Sequence, residues 1–154
     1  MEDFDKAISI DPYATDAYIN KGTLYESLSE YPSAIIEYNK AIEIDPDRAL
    51  SYANRGLAYA RSGNENKALS DFNRCIKLDP KIADAHSNRG FIYYKMGNYN
   101  QAIVDLSRAI KLNPELAIAY MNRGNTYIAL GEKNKACLDF QKASSLGLTC
   151  LFFI

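Results

Sequence analysis

An Asp-Pro or Asn-Pro step recurs at a fixed interval and constrains the fold of this chain more than any other feature. The four prolines are each 34 residues apart: Pro12, Pro46, Pro80 and Pro114. Because the residue before a proline is pushed out of the helical region, each step ends a helix. A period of this length indicates stacked supersecondary units, in which no unit buries its apolar face alone.

Four columns do not vary when the chain is written out on this period. They are Asn20, Asn54, Asn88 and Asn122; Gly22, Gly56, Gly90 and Gly124; Tyr25, Tyr59, Tyr93 and Tyr127; Ala34, Ala68, Ala102 and Ala136. Apolar residues spaced i, i+4, i+7 mark one face of an α-helix, and each unit contains two such sets. In the second unit the sets are Tyr52, Gly56, Tyr59 and Ala68, Phe72, Cys75.

The connections between these helices also carry recognisable signals. Gly63, Gly97 and Gly131 stand where the first helix of a unit should end, as a left-handed residue after a helix does. Ser29 takes that place in the first unit, and Pro32 can open the helix that follows. The sequence therefore predicts two helices per unit, joined by short turns.

This pattern resembles the tetratricopeptide repeat family. The resemblance implies an all-α, right-handed superhelical solenoid of antiparallel helix pairs, with about nine helices. It divides the chain into the second helix of a truncated repeat (1–14), repeats 1 to 3 (15–48, 49–82 and 83–116), repeat 4 (117–147) and an apolar tail (148–154). It also implies a protein- or peptide-binding scaffold module, with an extended or helical partner segment in a concave groove.

Composition excludes several other functions. The net charge of −1 gives no electrostatic reason to bind nucleic acid or an anionic membrane. Cys75, Cys137 and Cys150 form no C-x-x-C pair, so we expect neither a disulfide framework nor a metal site. No apolar run approaches the ~20 residues of a membrane span. We expect a cytoplasmic protein without cofactors, although an opening half-repeat suggests a segment of a longer chain.

Catalytic patterns are missing as well. The chain has no Gly-rich phosphate loop, no H-E-x-x-H and no G-x-S-x-G, and its one histidine, His86, has no cysteine or oriented base beside it in a known pattern. His86 shares a column with tyrosines and is interpreted as a packing residue. Asp and Glu residues are assigned to turns and solvated helix faces. We therefore expect a binding protein and not an enzyme.

The face of the first helices that the core does not use is the candidate binding groove. In tetratricopeptide proteins this face generally lines the concave surface. Here it holds an apolar set and the asparagine column: Leu50, Leu57, Phe91, Tyr94 and Met121; Asn20, Asn54, Asn88 and Asn122. An exposed apolar strip usually marks a binding site. The alternative is that some of these residues tuck between neighbouring first helices.

The asparagine column has two interpretations. An amide offers one acceptor and two donors, so it can pair with both groups of a partner's backbone. This resembles the asparagine ladder of O-linked N-acetylglucosamine transferases, which holds extended peptides. In other tetratricopeptide arrays the same asparagine can bond to a neighbouring helix, which is a structural role. The chain is net acidic over residues 1–48 and net basic over the rest. This charge gradient would orient a bound segment, its basic part toward Asp16 and Glu26 and its acidic part toward Arg61 and Lys95.

Three further partner classes can be weighed from the residues. The resemblance argues against chaperone C-terminal carboxylate tails as partners, because tetratricopeptide co-chaperones grip such a tail with lysines at two positions of the repeat. In this chain the first position holds Ile19, Ala53, Ser87 and Met121, and the second holds Asp16, Leu50, Asp84 and Ile118. RNA binding is disfavoured, since no basic stripe is evident. Self-association remains open: residues 1–48 carry 11 acidic and 4 basic side chains and the rest are net basic, so stack ends could join as a homo-oligomer.

Overall fold

The computed structural model describes residues 2–148, and this part of the chain is entirely helical apart from its turns. Its nine helices are α1 (Glu2–Ile10), α2 (Thr15–Ser27), α3 (Tyr31–Ile44), α4 (Ala49–Arg61), α5 (Glu65–Leu78), α6 (Ala83–Lys95), α7 (Tyr99–Leu112), α8 (Ala117–Ala129) and α9 (Lys133–Ser145). The even-numbered helices are the first helices of the four repeats, and α1 is a second helix without its own first helix. The predicted all-α class and helix pairing are confirmed.

The helices fall into two compact units that divide between Pro80 and Lys81. In unit 1, α2 packs against α3, α3 against α4, and α4 against α5, while α1 contacts α2. In unit 2, α6 packs against α7, α7 against α8, and α8 against α9. Each unit therefore holds two helix pairs, with the second helix of one pair also packed on the first helix of the next.

A glycine on each first helix lies against a large side chain of its partner helix. A Cβ atom added at Gly22 would lie 2.5 Å from Cε1 of Tyr38, and one at Gly124 would lie 2.5 Å from Cε1 of Phe140. Real Cβ atoms do not approach that closely, so the missing side chain is what lets the rings enter between the helices. The glycine column is thus structural, as its spacing predicted.

The turn residues adopt the predicted backbone. Gly63 has a φ of +82°, Gly97 +77° and Gly131 +76°, and Ser29 takes the left-handed conformation with a φ of 61°. Pro32 is the second residue of α3, where its missing N–H leaves no helical acceptor unpaired. These residues end one helix and begin the next within a few positions.

Within residues 2–148 no helix combines the length and apolar character needed to cross a bilayer. The predicted apolar tail lies almost wholly outside the described residues, since the structure describes none of 149–154.

Candidate binding surface

The first helices of unit 2 present aromatic and aliphatic side chains that their own core does not use. Phe91 on α6 is 39% exposed, and its ring stacks beside the half-buried ring of Tyr94, with centroids 6.4 Å apart. Tyr94 in turn lies 6.0 Å from the ring of Tyr99 on α7. On α8, Ile118 and Ile128 are exposed and Met121 is half-buried. These residues form a partly open apolar surface over α6 and α8.

Unit 1 presents a smaller version of this surface. Leu50 on α4 is 49% exposed, and Leu57 on the same helix is half-buried. The members of the apolar set differ in exposure, and their assignment to a binding groove stays a prediction. Leu50 and Phe91 project into solvent, whereas Leu57, Tyr94 and Met121 are partly covered.

The asparagine column becomes progressively buried along the chain. Asn20 is exposed, Asn54 and Asn88 are half-buried, and Asn122 is buried. Among the residues that the structure describes, none of the four side-chain amides has a hydrogen-bond partner. The binding role and the structural role of this column both stay predictions.

The proposed charge gradient of the groove is wrong for unit 1. Glu26 is buried, accepts a hydrogen bond from the Tyr38 hydroxyl at 3.1 Å, and lies 2.9 Å from Nη1 of Arg61. Asp16 is paired with Arg48. The carboxylates assigned to a basic partner are thus already neutralised by residues of the same unit. Burial also raises the pKa of the Tyr38 hydroxyl well above its usual range, so it remains a donor.

Sequence reasoning missed a set of arginine–aspartate pairs that join the two helices of three repeats. Arg55 binds Asp71 through two nitrogens at 2.8 and 2.7 Å. Arg89 binds Asp105, and Arg123 binds Asp139, in the same bidentate way. The assignment of all acidic residues to turns and solvated faces was therefore wrong. The sequence does carry a signal for these pairs, because in each of the three repeats the aspartate follows the arginine by 16 residues.

These arginines also lie against the tyrosine columns. The guanidinium of Arg55 lies 5.6 Å from the ring centroid of Tyr52 and 5.9 Å from that of Tyr59. Arg123 lies in the same way between Tyr120 and Tyr127. The rings are half-buried and contribute cation–π contacts of about 0.5–1 kcal/mol each at partly exposed sites. These tyrosines therefore take part in the packing around the Arg–Asp pairs.

His86 and Cys75 both lie in the packed interior. His86 is buried, with Nδ1 3.6 Å from Oδ1 of Asp105, the carboxylate that Arg89 binds. Cys75 is buried, and burial raises the pKa of its thiol to about 11. Within residues 2–148 no three His, Cys, Asp or Glu side chains are grouped as a metal site would need.

Stacked helix pairs with this repeat, a glycine-to-ring contact in each pair and an open face on the first helices define a helical-repeat protein. The sequence pattern of the tetratricopeptide repeat matches residues 49–82, 83–116 and 117–146, and a related pattern of the same repeat matches 22–63. The chain belongs to the tetratricopeptide repeat family. No curated protein matches the chain in sequence at a significant level.

Solved structures support the same fold. MamA is 26% identical, and the match covers 93% of this chain and 84% of that chain with a TM-score of 0.81. The first tetratricopeptide domain of Spaghetti (RPAP3), bound to the HSP90 peptide SRMEEVD, is 27% identical over 76% of this chain and 93% of that chain, with a TM-score of 0.73. The Sgt2 domain from Aspergillus fumigatus is 26% identical over 79% and 82%, also with a TM-score of 0.73.

Proposed function

We propose that this chain is a protein-interaction scaffold that holds a partner segment along the open face of its first helices. The observation that carries the proposal is the combination on α6 and α8 of exposed apolar side chains with asparagine amides that have no internal partner. A similar structure of the same family was solved with a peptide bound, which supports this function for the chain.

The two residue types would contribute differently. Asn88 and Asn122 would pair with the partner's backbone, which gives affinity with little demand on sequence. Phe91, Tyr94 and Met121 would take apolar side chains of the partner and supply the selectivity. The partner is an extended or helical segment with at least one large apolar residue. Chaperone carboxylate tails remain disfavoured, because the clamp lysines are absent from the sequence.

A display library of random peptides, selected on the folded chain, would supply a binding peptide for testing. We expect Phe91→Ala to weaken that peptide by about tenfold or more, since burying such a ring contributes roughly 1.5–3 kcal/mol. Asn88→Ala and Asn122→Ala should each weaken it less, because a net hydrogen bond contributes about 0.5–1.5 kcal/mol. Fluorescence anisotropy measures all three.

Ile36→Ala is the matched control for this experiment. Ile36 is an exposed apolar residue on a second helix, and it lies outside the proposed groove. Its removal should leave the affinity unchanged. Equal affinities of wild type and Phe91→Ala, or an equal loss in Ile36→Ala, would contradict the proposal.

Self-association is a second candidate function, favoured by one observation. Ile10 and Tyr13 near the acidic end of unit 1 are 77% and 78% exposed. Head-to-tail contact between stack ends would cover them and form a heterologous interface. We expect concentration-dependent association in sedimentation that weakens when residues 148–154 are deleted. A strict monomer at high concentration would exclude this candidate.

A further inference from the structure

The second helices of unit 2 present charges of only one sign to solvent. Both of their carboxylates, Asp105 and Asp139, are buried and bound by arginines of the first helices. Their cations are exposed: Arg108 and Lys111 on α7; Lys133, Lys135 and Lys142 on α9. The Arg–Asp pairs thus remove the negative charges from this surface and leave it cationic.

Each of these helices also exposes one aliphatic side chain among the cations. Val104 on α7 is 62% exposed, and Leu138 at the equivalent position of α9 is 67% exposed. Residues at i, i+3, i+4 and i+7 share one face of a helix, so this aliphatic residue lies on the same face as two of the cations of its helix. We call these residues the outer cationic face: Val104, Arg108 and Lys111 on α7; Lys135, Leu138 and Lys142 on α9.

In unit 1 the cations equivalent to Arg108 and Lys142 are neutralised. Nζ of Lys40 lies 3.4 Å from the carboxylate of Glu37. Arg74 lies 3.1 Å from Asp47, which precedes it by 27 residues. The unit 1 cations of this column, Lys40 and Arg74, are therefore engaged in internal ion pairs, whereas Lys77, the equivalent of Lys111, is exposed.

Unit 2 lacks this neutralisation at Arg108 and Lys142, whereas Lys135 is ion-paired with Glu132, the residue directly before α9. The residue at the same offset before Arg108 is Lys81, a cation where unit 1 has Asp47. Glu115 has that offset from Lys142, yet the two do not pair. In the described part of the chain, the side chains of Arg108, Lys111 and Lys142 have neither an ion-pair nor a hydrogen-bond partner.

We propose that the outer cationic face binds an acidic protein segment that carries an aliphatic or aromatic side chain among its carboxylates. The carboxylates would meet Arg108, Lys111 and Lys142, and the apolar side chains would cover Val104 or Leu138. Charge complementarity would speed the encounter and make the binding sensitive to salt. This surface belongs to the second helices, so the inference is independent of the groove on the first helices.

Two other anionic partners fit the surface less well. A nucleic-acid backbone would gain phosphate contacts from the cations but would leave the two protruding aliphatic residues unused. An anionic membrane would favour aromatic residues at the interface, and the outer cationic face contains none. An acidic segment with apolar side chains uses both kinds of residue.

The probe is a labelled synthetic peptide in which leucines are spaced among glutamates, measured by fluorescence anisotropy at low and physiological salt. Combining Arg108→Glu, Lys111→Glu and Lys142→Glu should weaken binding by at least about tenfold and flatten its salt dependence. Combining Val104→Ser and Leu138→Ser, which copies Ser70 at the equivalent position of α5, should weaken binding without changing the salt dependence.

The matched control combines Lys6→Glu, Lys67→Glu and Lys77→Glu, three exposed cations of unit 1 that lie on α1 and α5. It changes the net charge by the same amount but outside the outer cationic face, so binding that depends on that face should stay near the wild-type value. Circular dichroism confirms that each variant is folded. An equal loss in the control would overturn the proposal, since it would mean non-specific attraction. Tighter binding of duplex DNA or of phosphatidylserine vesicles, lost in the same α7–α9 variant, would also overturn it.

Discussion

Arg55 donates two parallel hydrogen bonds to Asp71, from Nε to Oδ2 at 2.8 Å and from Nη2 to Oδ1 at 2.7 Å. The same guanidinium donates from Nη1 to Oδ1 of Asn39 at 2.7 Å, so it connects α4 to both α3 and α5. Its pKa is raised chiefly by the bond to Asp71. Asp71 is only 7% exposed in its side chain, which means that its charge depends on this partner.

Asp71→Ala should therefore destabilise the fold by roughly 2–4 kcal/mol, because it leaves a partly buried guanidinium without its main partner. Asp47→Ala is the control, since it breaks an ion pair with Arg74 in which the aspartate is 81% exposed. That change should cost less than about 1 kcal/mol. Urea unfolding followed by circular dichroism compares the two. Equal costs would show that burial does not set the strength of the Arg55–Asp71 pair.

Gly124→Ala should destabilise the last repeat by about 1–3 kcal/mol, although alanine favours helices more than glycine does. The added Cβ would lie 2.5 Å from Cε1 of the Phe140 ring and force it to move. A second change, Phe140→Leu, supplies the smaller side chain that faces Gly90 in the preceding repeat. The double variant should recover part of the loss in thermal unfolding. Additive losses in the double variant would refute the steric explanation.

The sequence predicted the helices and turns of this chain well because both depend on local signals. The repeat period, the glycines at Gly63, Gly97 and Gly131, and the apolar spacing each act within a few residues. The Arg55–Asp71 pair joins two helices across 16 residues, and the spacing within either helix alone does not indicate it. The burial of Glu26 likewise depends on Tyr38 and Arg61 from other helices. Contacts of this kind decide which charges reach solvent, and hence which surfaces can bind.

Cysteine reactivity should separate the two described thiols. Cys137 is exposed, whereas burial raises the pKa of the Cys75 thiol to about 11. At pH 8 only about one Cys75 thiol in a thousand would be ionised, and it is also shielded from reagents. In a variant that carries Cys137→Ser and Cys150→Ser, Cys75 should react with a coloured disulfide reagent only after denaturant is added. Rapid reaction of the native variant would contradict the burial.

The same thiol predicts a pH dependence of stability. In the unfolded chain its pKa returns to its ordinary value of about 9, so above that pH the unfolded state loses a proton that the folded state keeps. The contribution of Cys75 is therefore fully present below pH 9 and is lost as the pH rises toward 11. Cys75→Ala should flatten the fall in melting temperature over this range. An unchanged slope would assign the alkaline loss to other groups.

Asn122→Ala should separate a structural role of the asparagine column from a binding role. Asn122 is buried, yet its amide has no hydrogen-bond partner among residues 2–148. Removing the amide therefore breaks no internal bond, and alanine gains up to about 0.7 kcal/mol of helix propensity. We expect the free energy of unfolding to stay within about 0.5 kcal/mol of wild type or to rise, while the affinity for a groove-selected peptide falls severalfold. Asn20→Ala, at the exposed end of the column, shows the propensity effect alone. The contrary outcome is that Asn122→Ala loses more than about 1.5 kcal/mol of stability while the folded protein keeps its peptide affinity. The column would then be structural, and the asparagines would not belong to the proposed binding surface.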